Sequence, residues 1–379
     1  MVPSVLEPAS VLDLLQQLIR VPSVNPSLVP AEGQGEAAVA ALARNWLAAR
    51  GVHAWLEEAA PGRPNLAAEI GSGQGRTLVL CAHLDTVGTA GMSIPPFEPR
   101  CEDGRVYGRG SYDMKGSAAA ILAAAAALAQ TGLRGRLLLA LVADEEYASV
   151  GAIDFVRRHQ ADGCIVTEPS EGKLILGHKG FVWAELVTEG RAAHGSRWDL
   201  GVSAIGKMGR IVTALERFDR EELRRREHPL VGPASLHCAQ IEGGVGLSTY
   251  APACRLKVER RTLPGETALQ VQRELEEVVR RSGEQASVTC FFDRPPLTCD
   301  PGAEVVRCLR DAITALKGPP AEAGVAYWMD AAIFAAAGIP TANYGPSGAG
   351  AHEAVEWVEL DSVVHCAEVL VEAARRFCA

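Results

Sequence analysis

Short apolar runs alternate with helical stretches through the first half of this chain, and the runs stop at carboxylates or histidines. Thr77 to Ala82, Arg136 to Ala143 and Cys164 to Thr167 read as strands, while Lys115 to Gln130 and Ser149 to His159 carry helical spacing. That alternation predicts an α/β fold with a mixed, mostly parallel sheet and helices on both faces. Open sheets of this kind gather their ligands in the crevice beyond the carboxyl ends of the strands. The acids and histidines of this chain are expected there. Upstream, Val11, Leu14, Leu15, Leu18 and Ile19 share one helical face, with Ser10 as its cap and Pro22 as its stop. Glu36 to Arg50 forms a second helix, closed by Gly51.

A chain of 379 residues exceeds what one hydrophobic core usually holds. From about Lys179 the texture changes to period-two segments, Phe181 to Val187 and Cys254 to Val258, set around helices at Val202 to Phe218 and Thr267 to Arg281. After Pro295 and Pro296 the first texture returns, with a helix at Glu304 to Leu316, a strand at Thr341 to Tyr344 and a helix at Asp361 to Phe377. We therefore expect one domain from residues 1–178 and 293–379, with a smaller α+β domain, 179–292, inserted into it.

Lys and Arg number 37 against 46 Asp and Glu, a formal charge of -9, which argues against nucleic acid or an anionic membrane as partner. The longest apolar run, Ala118 to Ala129, is short of the roughly 20 residues of a membrane span and reads as a buried helix. The N-terminal residues lack the basic and apolar regions of a secretory signal. Ten scattered cysteines without a C-x-x-C pair suit reduced thiols, so a cytoplasmic protein is expected.

The chemistry is concentrated at the strand ends. His83 and Asp85 flank Leu84 on one side of a strand, so Asp85 is placed to orient a metal-binding His83, or the pair forms an ordinary turn. Asp113 ends a glycine-rich loop, Gly108 to Gly116, either as a helix cap or as a carboxylate bridging two ions about 3.5–4 Å apart. Asp144, Glu145 and Glu146 are adjacent acids after an apolar strand, and burying any of them calls for a cation or a proton. Either the three form a solvated acidic turn or, because neighbouring residues point in different directions, Glu146 can bind metal while Glu145 serves as general base. Glu168 before Pro169 and His352 in the loop Gly345 to Glu353 complete a set of nitrogen and oxygen donors. Such a set suits two divalent ions, zinc first and cobalt or manganese less selectively, and the lack of cysteine ligands points to catalysis.

Six segments in order closely resemble the M20 family of metallopeptidases and deacylases, over almost the whole chain. They are His83-Leu-Asp85-Thr-Val, Gly108-Arg-Gly110 through Asp113-Met-Lys-Gly116, Asp144-Glu-Glu146, Thr167-Glu168-Pro169, Ala193-His194-Gly195-Ser196 and Gly348 through His352. The resemblance implies one metal on His83 and Glu168, another on Glu146 and His352, and Asp113 shared. It implies Glu145 as base, Asp85 as the orienter of His83, and His194 as a donor to the tetrahedral oxyanion, often across a dimer interface. The inserted domain would then act as a lid and dimerisation domain of a homodimer. Arg261 matches a family arginine that holds a substrate carboxylate, or else it is a strand charge paired with Glu259; Gly348 also matches the family and is expected to support substrate binding. One departure stands out: many members carry Asn a few residues after a Gly-Gly pair, whereas Gly243-Gly244 here is followed by Val-Gly-Leu-Ser-Thr-Tyr. The activity implied is hydrolysis of an amide in an N-acyl amino acid, as by acetylornithine deacetylase or succinyl-diaminopimelate desuccinylase, or in a short peptide.

Overall fold

The computed structural model describes residues 4–379 as two compact units. The first comprises the chain up to Leu176 together with Cys299–Ala323 and Met329–Ala379. Its sheet runs in the order His53–Ala60, Arg63–Gly71, Arg136–Val142, Thr77–His83, Gly163–Val166, Thr341–Asn343 and Leu174–His178. The four strands from Arg136–Val142 to Thr341–Asn343 are mutually parallel, and antiparallel strands flank them on both sides. Parallel strands buried on both faces need uniformly apolar side chains. Leu78, Val79, Leu80 and Leu137 through Leu141 supply them, all buried.

Register brings the carboxyl ends of these strands together. Leu80 lies opposite Leu139 and Ile165, and Thr341 opposite Cys164, so the residues after His83, Val142, Val166 and Asn343 emerge along one edge. Helices Pro8–Arg20, Gly116–Thr131, Glu304–Lys317 and Leu360–Phe377 pack in one set; Val150–Arg158 and Ala331–Ala336 pack in another. The alanine-rich helix is buried from Gly116 to Leu128, as its composition predicts. Among the described residues no helix is long and apolar enough to cross a membrane. The first helix differs from expectation at its start: it begins at Pro8, and Ser10 lies within its first turn instead of capping it. Proline at the first helical position needs no amide partner and already has a helical φ.

The second unit, Gly177–Thr298 with Gly324–Trp328, is an antiparallel sheet in the order Ser235–Gly243, Ala253–Thr262, Gly180–Glu189 and Ser287–Arg294. Val182, Ala184, Leu186, Leu256 and Val258 point to one face and pack against Met208, Ile211 and Leu215 of helix Ala204–Glu221 and Val271 and Leu275 of helix Ala268–Arg281. Ser203 and Thr267 cap those helices, accepting from the amides of Gly206 at 3.1 Å and Gln270 at 3.3 Å. This unit is wider than the expected 179–292. The strand Leu174–His178 runs through the boundary without a break in pattern, and Gly324–Trp328 joins through contacts remote in sequence. Lys179 N–H donates to Val325 O at 3.3 Å, and the Trp328 indole donates to Pro295 O at 3.0 Å. No compositional signal marks either.

Candidate metal centre

His83 is the last residue of its strand and is buried. Its Nδ1 lies 2.9 Å from the main-chain oxygen of Asp85. A carbonyl only accepts, so Nδ1 carries the hydrogen and a neutral His83 turns the lone pair of Nε2 outward. Nε2 faces Asp113 Oδ1 at 3.0 Å and Glu168 Oε1 at 3.7 Å. On the far side of Asp113, Oδ2 is 3.2 Å from His352 Nε2, which is also 3.2 Å from Glu146 Oε2. Two donor groups result, His83/Asp113/Glu168 and Asp113/Glu146/His352, each with ligand atoms within 4.8 Å of one another. Asp113 belongs to both, one oxygen to each.

Divalent cations fit this arrangement. Ligand atoms gather in two groups that share Asp113, and Glu146 Oε1 is buried without any hydrogen-bond partner. The electrostatics agree. Burial would lower the His83 imidazole, yet Glu168, Asp113 and Asp85 raise it well above its ordinary value. His352 is raised to about 10, chiefly by hydrogen bonds to Asp113 and Glu146. Burial pushes up Glu168, Glu145 and Glu146, whereas Asp113 is held below the carboxylate range because its contacts to His352 and His83 outweigh its own burial. The crowded carboxylates thus favour binding of positive charge at these donors.

A consequence for metal loading follows. His352 is raised to about 10 and His83 is raised above its ordinary value by the surrounding carboxylates, so an incoming ion competes with protons for these donors. Loading chelator-treated protein near pH 7 is expected to release protons, that of His352 among them. Affinity should climb with pH towards about 10, where His352 gives up its proton unaided. Calorimetry in buffers of differing ionisation heat measures this release; a binding heat independent of buffer would contradict it.

The structure changes the role expected of Asp85. Its carboxylate is 3.6 Å from His83 Nδ1, and the hydrogen bond to the ring is made by its main-chain oxygen. The carboxylate accepts instead from the main-chain amides of Glu145 (3.1 Å, to Oδ1) and Glu146 (3.1 Å, to Oδ2). Asp85 therefore grips the acidic turn. Asp113, likewise, does not cap the following helix, which starts at Gly116; it lies in a looser turn, Ser111–Lys115, entered through Gly110 at φ 76°. Sequence reasoning missed the residue that holds this turn. Glu356, fully buried, accepts from the amides of Gly110 (2.9 Å), Tyr112 (2.9 Å) and Asp113 (3.0 Å) and from Arg109 (2.7 Å). An acid four residues past His352 and next to a strand was the available signal.

Glu145 is half-buried and belongs to neither donor group. Gly348 owes its identity to packing: a Cβ there would stand 2.6 Å from the Tyr112 ring and 2.4 Å from Trp357 O. In the second unit His194 is exposed, and its Nδ1 accepts from the Ser196 amide at 3.3 Å, which leaves the hydrogen on Nε2. Arg261 pairs with Glu259 at 2.7 Å and lies over the Phe181 ring, 5.1 Å from its centre. It would have to leave Glu259 to clamp a substrate carboxylate.

Comparison with known proteins shows the family. Peptidase family M20/M25/M40 matches residues 79–376. The acetylornithine deacetylase of Vibrio vulnificus (strain CMCP6) is 29% identical over 381 residues, 97% of this chain and 99% of that protein. That of Myxococcus xanthus is 31% identical over 338 residues, covering 86% and 87%. The crystal structure of aminopeptidase PepT from Bacillus cereus superposes with a TM-score of 0.81 at 19% identity, over 98% of this chain and 99% of that one. With the match spanning both units and the donor groups standing at the strand ends, the chain belongs to peptidase family M20/M25/M40 and is a hydrolase of that family.

Proposed function

We propose that this protein is a two-metal amidohydrolase that removes the acyl group from an N-acyl amino acid. The observation that carries the proposal is the pair of donor groups sharing Asp113, with Glu145 beside them and outside both. The full-length similarity to acetylornithine deacetylases supports a deacylase over a peptidase. His83 and Glu168 would hold one ion, Glu146 and His352 the other, and Asp113 both; the nitrogen and oxygen donors suit zinc. When bound, such ions polarise the scissile carbonyl and bring water within reach of deprotonation near neutral pH.

The chain's own residues supply the remaining steps. Glu145 accepts the proton of the attacking water and delivers it to the departing amine. Asp85 holds the turn that aims Glu145. His194 donates from Nε2 to the developing oxyanion. A homodimer through the second unit belongs to the same proposal: Trp198, Leu200, Ile241, Val245 and Leu247 are exposed apolar side chains of that unit, and Ser235–Gly243 is an edge strand of its sheet.

Purified protein of measured mass, loaded with zinc, is expected to hydrolyse N-acetyl amino acids fastest in a panel that includes N-succinyl amino acids and dipeptides. Light scattering on the same sample should give twice the chain mass. Dipeptides turned over in preference to every N-acyl amino acid would make it a peptidase, and a single-chain mass would remove the dimer.

A further inference from the structure

The turn carrying Glu145 and Glu146 is gripped from behind by buried polar groups far apart in sequence. Asn25 is fully buried, and its Oδ1 accepts from the amides of Ser27 (2.9 Å) and Leu28 (3.2 Å). Those bonds set the amide's orientation, so Nδ2 must face its two carboxylate neighbours. It donates to Asp85 Oδ2 at 2.7 Å and Asp144 Oδ1 at 3.0 Å. Arg63 Nη2 donates to the same Asp144 oxygen at 3.0 Å, and its guanidinium forks onto Glu36 at 2.6 and 2.5 Å. Glu36 in turn accepts the Asp144 amide at 3.3 Å. Asp144 stands at φ 71°, which a side-chain-bearing residue seldom adopts without support.

Glu36, Asp85 and Asp144 are thus buried around one guanidinium and one carboxamide. A buried ionic cluster of this kind is by itself weak evidence for stability. The polar arrangement gives something else: fixed main-chain directions for two adjacent acids with different tasks. Asp85 holds the amides of Glu145 and Glu146, and Asp144 Oδ2 accepts from Ala148 at 3.2 Å, so both ends of the turn are tied. Without these ties the turn can rotate and exchange the two acids between the donor group and the open side.

We propose that Arg63 and Asn25 are positioning residues for Glu145, acting through Asp144 and Asp85 to keep it directed at the attacking water while Glu146 stays in its donor group. This rests on the deacylase reading of Glu145. The test uses the full chain loaded with zinc, in wild-type form and as Arg63→Ala and Asn25→Ala, with the N-acyl amino acid that the wild type hydrolyses fastest. Each variant is expected to lose about 10–100-fold in kcat, with KM within about threefold and metal content by mass spectrometry unchanged. Millimolar guanidinium should restore roughly fivefold or more to Arg63→Ala and nothing to Asn25→Ala, a response that general loosening of the fold would not give. Asn25→Ala removes no charge and carries the test should Arg63→Ala fail to fold. Wild-type kcat in the folded Asn25→Ala variant overturns the inference, as does metal lost in step with activity and no response to guanidinium. A wild type that hydrolyses nothing overturns the deacylase reading itself.

Discussion

Exchange of Glu145 for Gln is expected to lower kcat by about 10²–10⁴-fold while leaving two divalent ions bound and KM within a few-fold. The amide matches the carboxylate in shape but cannot accept the water proton. The turn itself should survive, because Asp85 holds it through the Glu145 main-chain amide, and the side chain belongs to neither donor group. Burial and the nearby Glu168 carboxylate raise Glu145 well above its ordinary value. The active form is the deprotonated one, so activity should fall as pH drops through that raised value, and the residual activity of the Gln variant should lack this limb. Steady-state kinetics with metal analysis on the same samples decides the matter. Full activity in the variant would place the base elsewhere; loss of an ion along with activity would make Glu145 a ligand.

The parts readable in sequence were those governed by local pattern. Apolar runs such as Leu137 to Leu141 declare buried strands, and their abrupt ends at His83, Asp144 and Glu168 place the donors at one sheet edge. Asp113 and His352, on loops, needed the family resemblance as well as their glycines. Roles that depend on which atom makes a bond were out of reach. Strand alternation put Asp85 beside His83, yet it could not tell a main-chain oxygen on the ring from a carboxylate on the next strand's turn. Arg63 and Glu36 lie 27 residues apart and meet Asp144 only in the folded chain, so neither carried a signal. Gly348 and Arg261 each match a family position, but the contacts around them add a packing reason for the glycine and an ion pair for the arginine.

Asp113→Ala should cost the most. Among the described residues Asp113 is the one member common to both donor groups, with His83 near Oδ1 and His352 near Oδ2. Its removal leaves His83 with Glu168 and Glu146 with His352, two protein donors on each side, whereas catalytic zinc sites characteristically keep three. The two groups should therefore fail together: metal content is expected to fall from about two ions per chain to below about one, and turnover by more than about 10³-fold. Glu168→Ala differs in kind, since it strips a donor from one group only and should leave one ion in place. The metal-free variant offers a separate check. Asp113 is a cause of the upward shift of both histidines and the first cause for His352, so that imidazole should titrate below about 10 once the carboxylate is gone, whatever the ions do. Proton magnetic resonance of the histidines reads this directly. Two ions retained by Asp113→Ala would mean that the groups do not share a bridge, and the two-metal arrangement would have to be rebuilt around other donors.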